Sequence, residues 1–441
     1  MNYSEALPYL RQLGREAPSA KFSLKTIRRL CRAFENPQNR FSSVLIAGTN
    51  GKGSTAATLY AILLQTGIPV GCYISPHLVH PRERIRVHRS CISEEDFARC
   101  LTEVRDKVQW LNARRDFPIR PSFFEVLTMA AFIHFARSGV RLAVLEVGLG
   151  GRLDATNLCQ PEVVALTGIS RDHQQYLGNS LMAIAREKTG TFRTGIPAVV
   201  GDLPPRIMRW VARRAGQIGA PVWFLSRDSL RKGIQGEAGR YRFEMRTRVR
   251  NYPQLAPSLR GRHQVHNAGL AVLLAERLSE KGWPIDADHI RRGLSGTIWP
   301  GRLQWIDGEP AVLLDGAHNP EGAAGLASFL ESAYPRRRRI LVFGAMRDKN
   351  YGAMARLLFP RAEKIVLTRP RSPRAVSLKD LMALPAARCH PGWLAADDPA
   401  RALQEAIRLA RPEDLLVVTG SLFLVGEILS SLGYDTLQPF P

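Results

Sequence analysis

Long apolar runs are missing from this chain. None of its 441 residues falls in a stretch near the roughly 18–20 apolar residues that a bilayer-crossing helix needs. The opening Met1-Asn2-Tyr3-Ser4-Glu5 has neither a basic n-region nor an apolar h-region, so no secretory leader is expected and the chain is expected to remain cytoplasmic. Cysteine is sparse: Cys31, Cys72, Cys91, Cys100, Cys159 and Cys389 show no C-x-x-C spacing, which argues against a disulfide framework or a thiolate zinc site. Low-complexity segments and repeats of solenoid length are absent as well. Negative charge is in deficit, with 39 Asp and Glu against 62 Lys and Arg, a net charge of +23. Such an excess, with runs like Arg336-Arg337-Arg338-Arg339 and Arg213-Arg214, is one signature of a nucleic-acid partner. Aromatic residues do not interleave with the basic runs, and no helix-turn-helix or zinc-finger spacing occurs. The charge therefore reads as a basic surface that steers anionic small molecules, with no specific nucleic-acid partner expected.

What is present is an ordinary globular composition, 45% hydrophobic and 23% charged, on a chain long enough for two or three domains. Two amphipathic segments, 4–13 and 24–34, precede the apolar run Val44-Leu45-Ile46-Ala47. Apolar strand patterns at 70–73, 142–147, 163–166 and 198–200 then alternate with helical ones near 55–65, 94–113, 123–137 and 204–214. That alternation predicts a mostly parallel sheet with helices on both faces. After Trp299-Pro300-Gly301 a second alternating block begins, with strands at 312–314, 340–343, 364–367 and 415–418 and helices at 320–333, 351–358 and 399–410. It is long enough for an independent doubly wound domain. The expected fold is α/β: a P-loop-type domain over 1–300 and a smaller Rossmann-like domain over 301–441, with ligand between them.

Phosphate chemistry is the strongest local signal. The run Gly48-Thr49-Asn50-Gly51-Lys52-Gly53-Ser54 follows a strand and opens a helix, the setting a phosphate-binding loop requires. Its glycines free backbone N–H groups to cradle phosphate oxygens, Lys52 is placed to neutralise them, and Ser54 or Thr55 to approach Mg²⁺. The spacing departs from the usual P-loop: two residues, not four, separate the first glycines, and Gly53 follows the lysine. Three further polar residues fall at strand ends: Ser75, Glu146 before Val147-Gly148-Leu149-Gly150-Gly151, and His173 after Thr167-Gly168. In a parallel sheet those positions share one edge, where metal or phosphate is held.

These stretches carry a resemblance. AGTNGKGST, SPHL with ERIRV, SFFE, LEVGLGGRLDATN, SRDHQQYLG, IAREKTG, HQVHNA, PGRLQ and LDGAHNP occur in the order of the motif series of folylpolyglutamate and dihydrofolate synthases, of the Mur ligase superfamily. The resemblance implies an enzyme that uses ATP to join L-glutamate to dihydropteroate or reduced folates through an acyl phosphate. It implies that ATP lies on the loop Gly48–Ser54 with Asn267, Arg302, Asp315 and His318, and that Ser75, Glu146 and His173 hold one or two Mg²⁺ ions. The resemblance also allows a monovalent cation. Lys188, in Arg186-Glu187-Lys188-Thr189-Gly190, matches a lysine carbamylated in the family. The pterin end would lie against Phe22, Ser23 and Leu24, against Ser122, Phe123, Phe124 and Glu125, and against Leu153, Asp154 and Ala155. There Phe124 would stack on the ring and Asp154 accept its N–H groups. The family default is a monomer. Leu24-Lys25-Thr26 departs from the common Leu-Gly-Leu, which bears on the pterin pocket and the choice of precursor. Two other readings stand beside this one: a Mur-type ligase for another carboxylate and amino acid, and a nucleic-acid-linked P-loop NTPase.

Overall fold

The computed structural model describes residues 1–14, 23–114 and 118–440. Its first sheet holds β1 (Ser42–Ala47), β2 (Val70–Tyr73), β3 (Ile85–Val87), β4 (Ser90–Cys91), β5 (Leu142–Glu146), β6 (Pro161–Leu166), β7 (Ala198–Val200) and β8 (Val222–Phe224). Their order is β4-β3-β2-β5-β1-β6-β7-β8. From β2 to β8 every pairing is parallel, and the β3–β4 hairpin adds an antiparallel edge. The central strands are runs of Val, Ile, Leu and Ala because both their faces are covered. Leu45 packs into one core, with the helices Glu94–Ala113 and Phe123–Arg137, while Val44 and Ile46 pack into the other, with the helices Lys52–Leu64 and Arg262–Glu280. The helix Lys52–Leu64 is buried on nearly all sides, which explains its lack of a polar stripe.

Three antiparallel strands follow: β9 (Ser229–Glu237), β10 (Arg240–Thr247) and β11 (Asn251–Leu255). The sequence reading placed nothing in this stretch. The alternation of buried Phe243 and Met245 with exposed Arg242, Glu244 and Arg246 is a half-buried strand pattern in plain view. The last sheet comprises β12 (Gln304–Ile306), β13 (Ala311–Leu314), β14 (Arg339–Phe343), β15 (Lys364–Thr368), β16 (Trp393–Ala396) and β17 (Leu415–Thr419), ordered β12-β13-β17-β14-β15-β16. All of it is parallel except β12. The helices Pro320–Ala333 and Tyr351–Leu358 cover one face, and Pro399–Leu409 and Leu422–Ser431 the other. Among the described residues no helix is long and apolar enough to cross a membrane.

Candidate active site

The loop after β1 turns tightly into the helix Lys52–Leu64. Gly51 sits at φ +84, and a Cβ there would meet Asn267 Oδ1 at 2.6 Å, so both backbone and space demand glycine. Neighbouring strand ends hold the loop. Thr49 N–H donates to Gly168 O at 2.9 Å, and Thr167 Oγ1 donates to Asn50 O at 2.6 Å. The first turn of the helix leaves its N–H groups and partial positive charge facing the cavity, an anion site in itself. Lys52 Nζ rests on Thr49 O at 3.2 Å. Of the two hydroxyls beyond it, Ser54 lines the cavity and accepts a hydrogen bond from Gln264 at 3.3 Å, whereas Thr55 does not line it.

Glu146 ends β5 beside this loop and is 4% exposed. Burial pushes its carboxyl pKa up, opposed first by Lys52, then by the Ser75 N–H that donates to Oε2 at 3.1 Å, and by Arg302 and Arg84. Lys188, at the end of the helix Leu181–Lys188, is 4% exposed and donates to Gly48 O at 2.6 Å. Burial, and then the positive charge of Lys52, bring its ammonium down to about 7. Near neutral pH a substantial fraction is therefore free amine. His173, in left-handed backbone at φ 50, is lowered to about 4 by burial and by Lys349, so its ring is neutral at pH 7.

The second block completes the site with its own strand ends. After β13, Asp315 accepts N–H groups from Leu303 at 2.9 Å and Ala317 at 3.0 Å, and Arg302 lies beside it. His318 Nδ1 faces Gly316 O at 2.9 Å, and its ring is lowered to about 3 by burial and then Lys349. Asn319 donates to Asn50 Oδ1 at 2.9 Å, joining the two blocks across the phosphate loop. A buried ion pair does the same: Lys349 Nζ lies 2.6 Å from Asp172 Oδ1, with side chains 8% and 9% exposed. Burial works to raise the Asp172 carboxyl, but Lys349, His173 and His318 outweigh it and hold the group well below the usual carboxylate range.

Apart from Thr55 and Asn319, these groups line one cavity of about 1110 Å³. Ser23, Leu24, Phe124, Leu153 and Ala155 also wall it. Phe124 tilts against Tyr73 at a 5.9 Å centroid distance. Ser122 and Glu125 line the wall too, but as a capping box for the helix Phe123–Arg137, with Ser122 N–H to Glu125 Oε2 at 2.8 Å. Asp154 is committed to its own loop, accepting from Leu149 N–H at 3.0 Å and from Thr156 N–H and hydroxyl at 3.0 and 2.6 Å. Phe123 is outside the lining and instead carries the Arg84 guanidinium 5.1 Å from its ring. Phe22 lies outside the described residues. Apart from Thr55, the other residues assigned to the site from the sequence reach the cavity.

Sequence reasoning passed over Lys349 and Gln264. Lys349 sits in Arg347-Asp348-Lys349 just past the strand β14, the same strand-end rule that pointed to Glu146 and His173. Gln264, two residues into the helix Arg262–Glu280, links Ser54 to Asn267, which donates to it at 2.8 Å.

Known proteins resemble the chain in sequence and in fold. Residues 46–275 match the Mur ligase middle domain and residues 301–422 the Mur ligase, glutamate ligase domain. The dihydrofolate synthase/folylpolyglutamate synthase of Bacillus subtilis is 32% identical over 95% of this chain and 97% of its own. A Mycobacterium tuberculosis folylpolyglutamate synthase complexed with ADP and AMPPCP superposes with a TM-score of 0.89 at 30% identity, over 98% of this chain and 100% of that one. Escherichia coli FolC in complex with DHPP and ADP gives 0.87 at 28% identity, over 98% of both chains. Full-length similarity and a common fold lead to one conclusion: the chain belongs to the folylpolyglutamate synthase/dihydrofolate synthase family of the Mur ligases.

Proposed function

We propose that the chain is an ATP-dependent amide ligase that adds L-glutamate to dihydropteroate, giving dihydrofolate, and to folates, giving folylpolyglutamates. One observation carries this reading. A single cavity joins a phosphate loop, a buried carboxylate and a near-neutral lysine to a wall carrying Leu24, Phe124 and Leu153 and to cationic and histidine groups of a second sheet. The relatives with ADP, AMPPCP and DHPP in their complexes support ATP and a pterin-type acceptor as its occupants.

The chemistry follows from the groups present. A carboxylate does not lose oxide, so the acceptor's carboxylate first attacks the γ-phosphorus of ATP, releasing ADP and leaving an acyl phosphate. The amine of glutamate then attacks the acyl carbon, and phosphate departs. Lys52 and the helix N-terminus behind it stabilise charge on the transferred phosphoryl group. Asn267, Arg302, Asp315 and His318 are assigned to the remainder of ATP, and Phe124 with Ser23, Leu24, Leu153 and Ala155 to the pterin end. The two blocks, 1–300 and 301–441, exclude water from the acyl phosphate as they meet, with Asn319 and Lys349 making the contact across the seam.

Glu146, buried with Lys52 and Arg302 as its charge partners, and the neutral His173 are suited to hold Mg²⁺ with Ser75. Among the described residues no three His, Cys, Asp or Glu side chains form a ready-made cage, which suits an ion that keeps its waters and shares the phosphates. Bound there, the ion supplies Lewis-acid charge at the phosphoryl oxygens. Lys188, as a free amine near neutral pH, is suited to take up CO₂ as a carbamate, which places an anionic oxygen where a lysine cannot. A monomer, without membrane or nucleic-acid partner, suffices for all of this.

The test is ADP release with glutamate and, in turn, dihydropteroate, tetrahydrofolate and a cell-wall nucleotide precursor. Turnover with either pterin acceptor is expected. Turnover with the cell-wall precursor alone would move the chain to another Mur-type reaction, and nucleic-acid-stimulated hydrolysis without ligation would make it an NTPase.

A further inference from the structure

The loop between β2 and β3 begins at Ser75, whose N–H holds Glu146, and is closed by Glu83 and Arg84. Glu83 is 4% exposed and gathers the loop onto one carboxylate. Its Oε2 accepts the Leu78 N–H at 2.7 Å, and its Oε1 accepts those of Val79 at 2.9 Å and His80 at 2.7 Å. Arg84 Nε donates to His77 Nδ1 at 2.8 Å, and Ile74 N–H to Arg84 O at 3.0 Å. The shape of the segment 75–83 is thus set by where Glu83 sits.

The partner that completes Glu83 comes from the far end of the chain. Beyond the helix Leu422–Ser431 of the last sheet, the segment 435–440 leaves that block and lies against the first. Thr436, 4% exposed, donates its hydroxyl to Glu83 Oε1 at 2.6 Å. Arg86 of β3 donates to Thr436 O at 3.2 Å and Gln438 O at 3.3 Å. Phe440 exchanges main-chain contact with Arg89, N–H to O at 2.8 Å. Its ring is 3% exposed, meets Tyr60 edge-on at 5.4 Å, and so belongs to the core around the helix Lys52–Leu64. The same loop is pressed from the other side by the helix Leu422–Ser431, where Gly426 leaves no room for a Cβ against Leu78 O.

We propose that Thr436 and Phe440 are positioning residues: the segment 435–440 is a second tie between the blocks that holds the loop 75–83, and through Ser75 the carboxylate of Glu146, in register for phosphoryl transfer. The proposal rests on the ligase reading above. None of the tail residues touches the cavity, so their effect on chemistry must travel through Glu83 and the loop. A hydroxyl donor to a buried carboxylate is a strong hydrogen bond, and its removal leaves Oε1 with two donors in place of three.

The experiment compares Thr436→Val, Thr436→Ser and Phe440→Ala with the parent enzyme by steady-state ligation and by amide hydrogen exchange. Thr436→Val, an isostere without the donor, is expected to lower kcat about tenfold, within the about 100-fold that a 1 Å misplacement can cause, while KM for ATP and for the pterin acceptor stays within about twofold. Thr436→Ser is expected to restore kcat, and the Leu78, Val79 and His80 amides are expected to exchange faster in Thr436→Val and Phe440→Ala while β14 is unaffected. An unchanged kcat in Thr436→Val, or slow exchange of those three amides in both variants, overturns the proposal. A parent enzyme inactive with every acceptor would overturn the ligase reading instead. The exchange measurement would then decide by itself whether the tail holds the loop.

Discussion

Cutting the ion pair between the blocks is the sharpest test of how this site is held together. In Lys349→Met the Asp172 carboxylate remains buried and loses the cation 2.6 Å away. With an effective dielectric near 20, the gross attraction at that distance is about 6 kcal/mol. Desolvation offsets part of it, and removing one partner of a buried pair costs about 3–5 kcal/mol, mostly from the charge left behind. The double variant Lys349→Met/Asp172→Asn removes that stranded charge, so it is expected to recover most of the loss. The pH dependence has a defined sign. The folded-state pKa of Asp172 lies below its unfolded value, so the pair stabilises the protein fully above the ordinary aspartate range, near about 4, and its contribution fades as pH falls below that. Parent and single variant should therefore converge in acid. His318 provides a second readout: Lys349 helps bring it down to about 3, so its titration by NMR should move upward in Lys349→Met. Urea unfolding at pH 7 and pH 3 measures the first effect. A single variant within about 0.5 kcal/mol of the parent at pH 7, the size expected of a surface change, would refute the claim that this pair clamps the blocks.

Lys52→Ala is expected to lower kcat by about 100-fold or more through loss of phosphoryl charge stabilisation, and near-parental turnover in a folded variant would remove Lys52 from the mechanism. Lys188→Ala is expected to lose activity that small carboxylates such as acetate partly restore. Because the lysine is brought down to about 7, carbamate formation should weaken as pH falls through that value, and intact mass with and without bicarbonate follows it directly. Non-specific DNA binding through the +23 charge is expected at low salt and should vanish by roughly 200 mM without altering ligation. Filter binding run beside the ligase assay checks this, and salt-resistant, sequence-selective binding would overturn it.

Much of the cavity lining was legible because the residue patterns suited to phosphate leave local marks. A strand, a glycine turn and a lysine at a helix start are contiguous in sequence, and Glu146 and His173 fall at the ends of unmistakable apolar strands. The wall around Phe124 was harder to read. Ser122 and Glu125 cap a helix while lining the wall, Asp154 spends its oxygens on its own loop, and Phe123 turns away while Phe124 faces in. Adjacent residues on a helix differ by about 100° in direction, so a short motif does not say which member points inward.

Strand order along the chain, the alternation of β and α and the phosphate loop were set by local pattern: apolar runs for strands buried on both faces, glycine where positive φ is needed, serine at helix starts. Tertiary structure alone decided which distant groups meet. Lys349 reaches Asp172 across 177 positions, and Thr436 reaches Glu83 across 353. Periodicity reports the burial of a residue against its own element's neighbours. It carries no record of a partner brought in by the packing of two sheets, because such a contact depends on the relative placement of both blocks and on no repeating feature of either sequence.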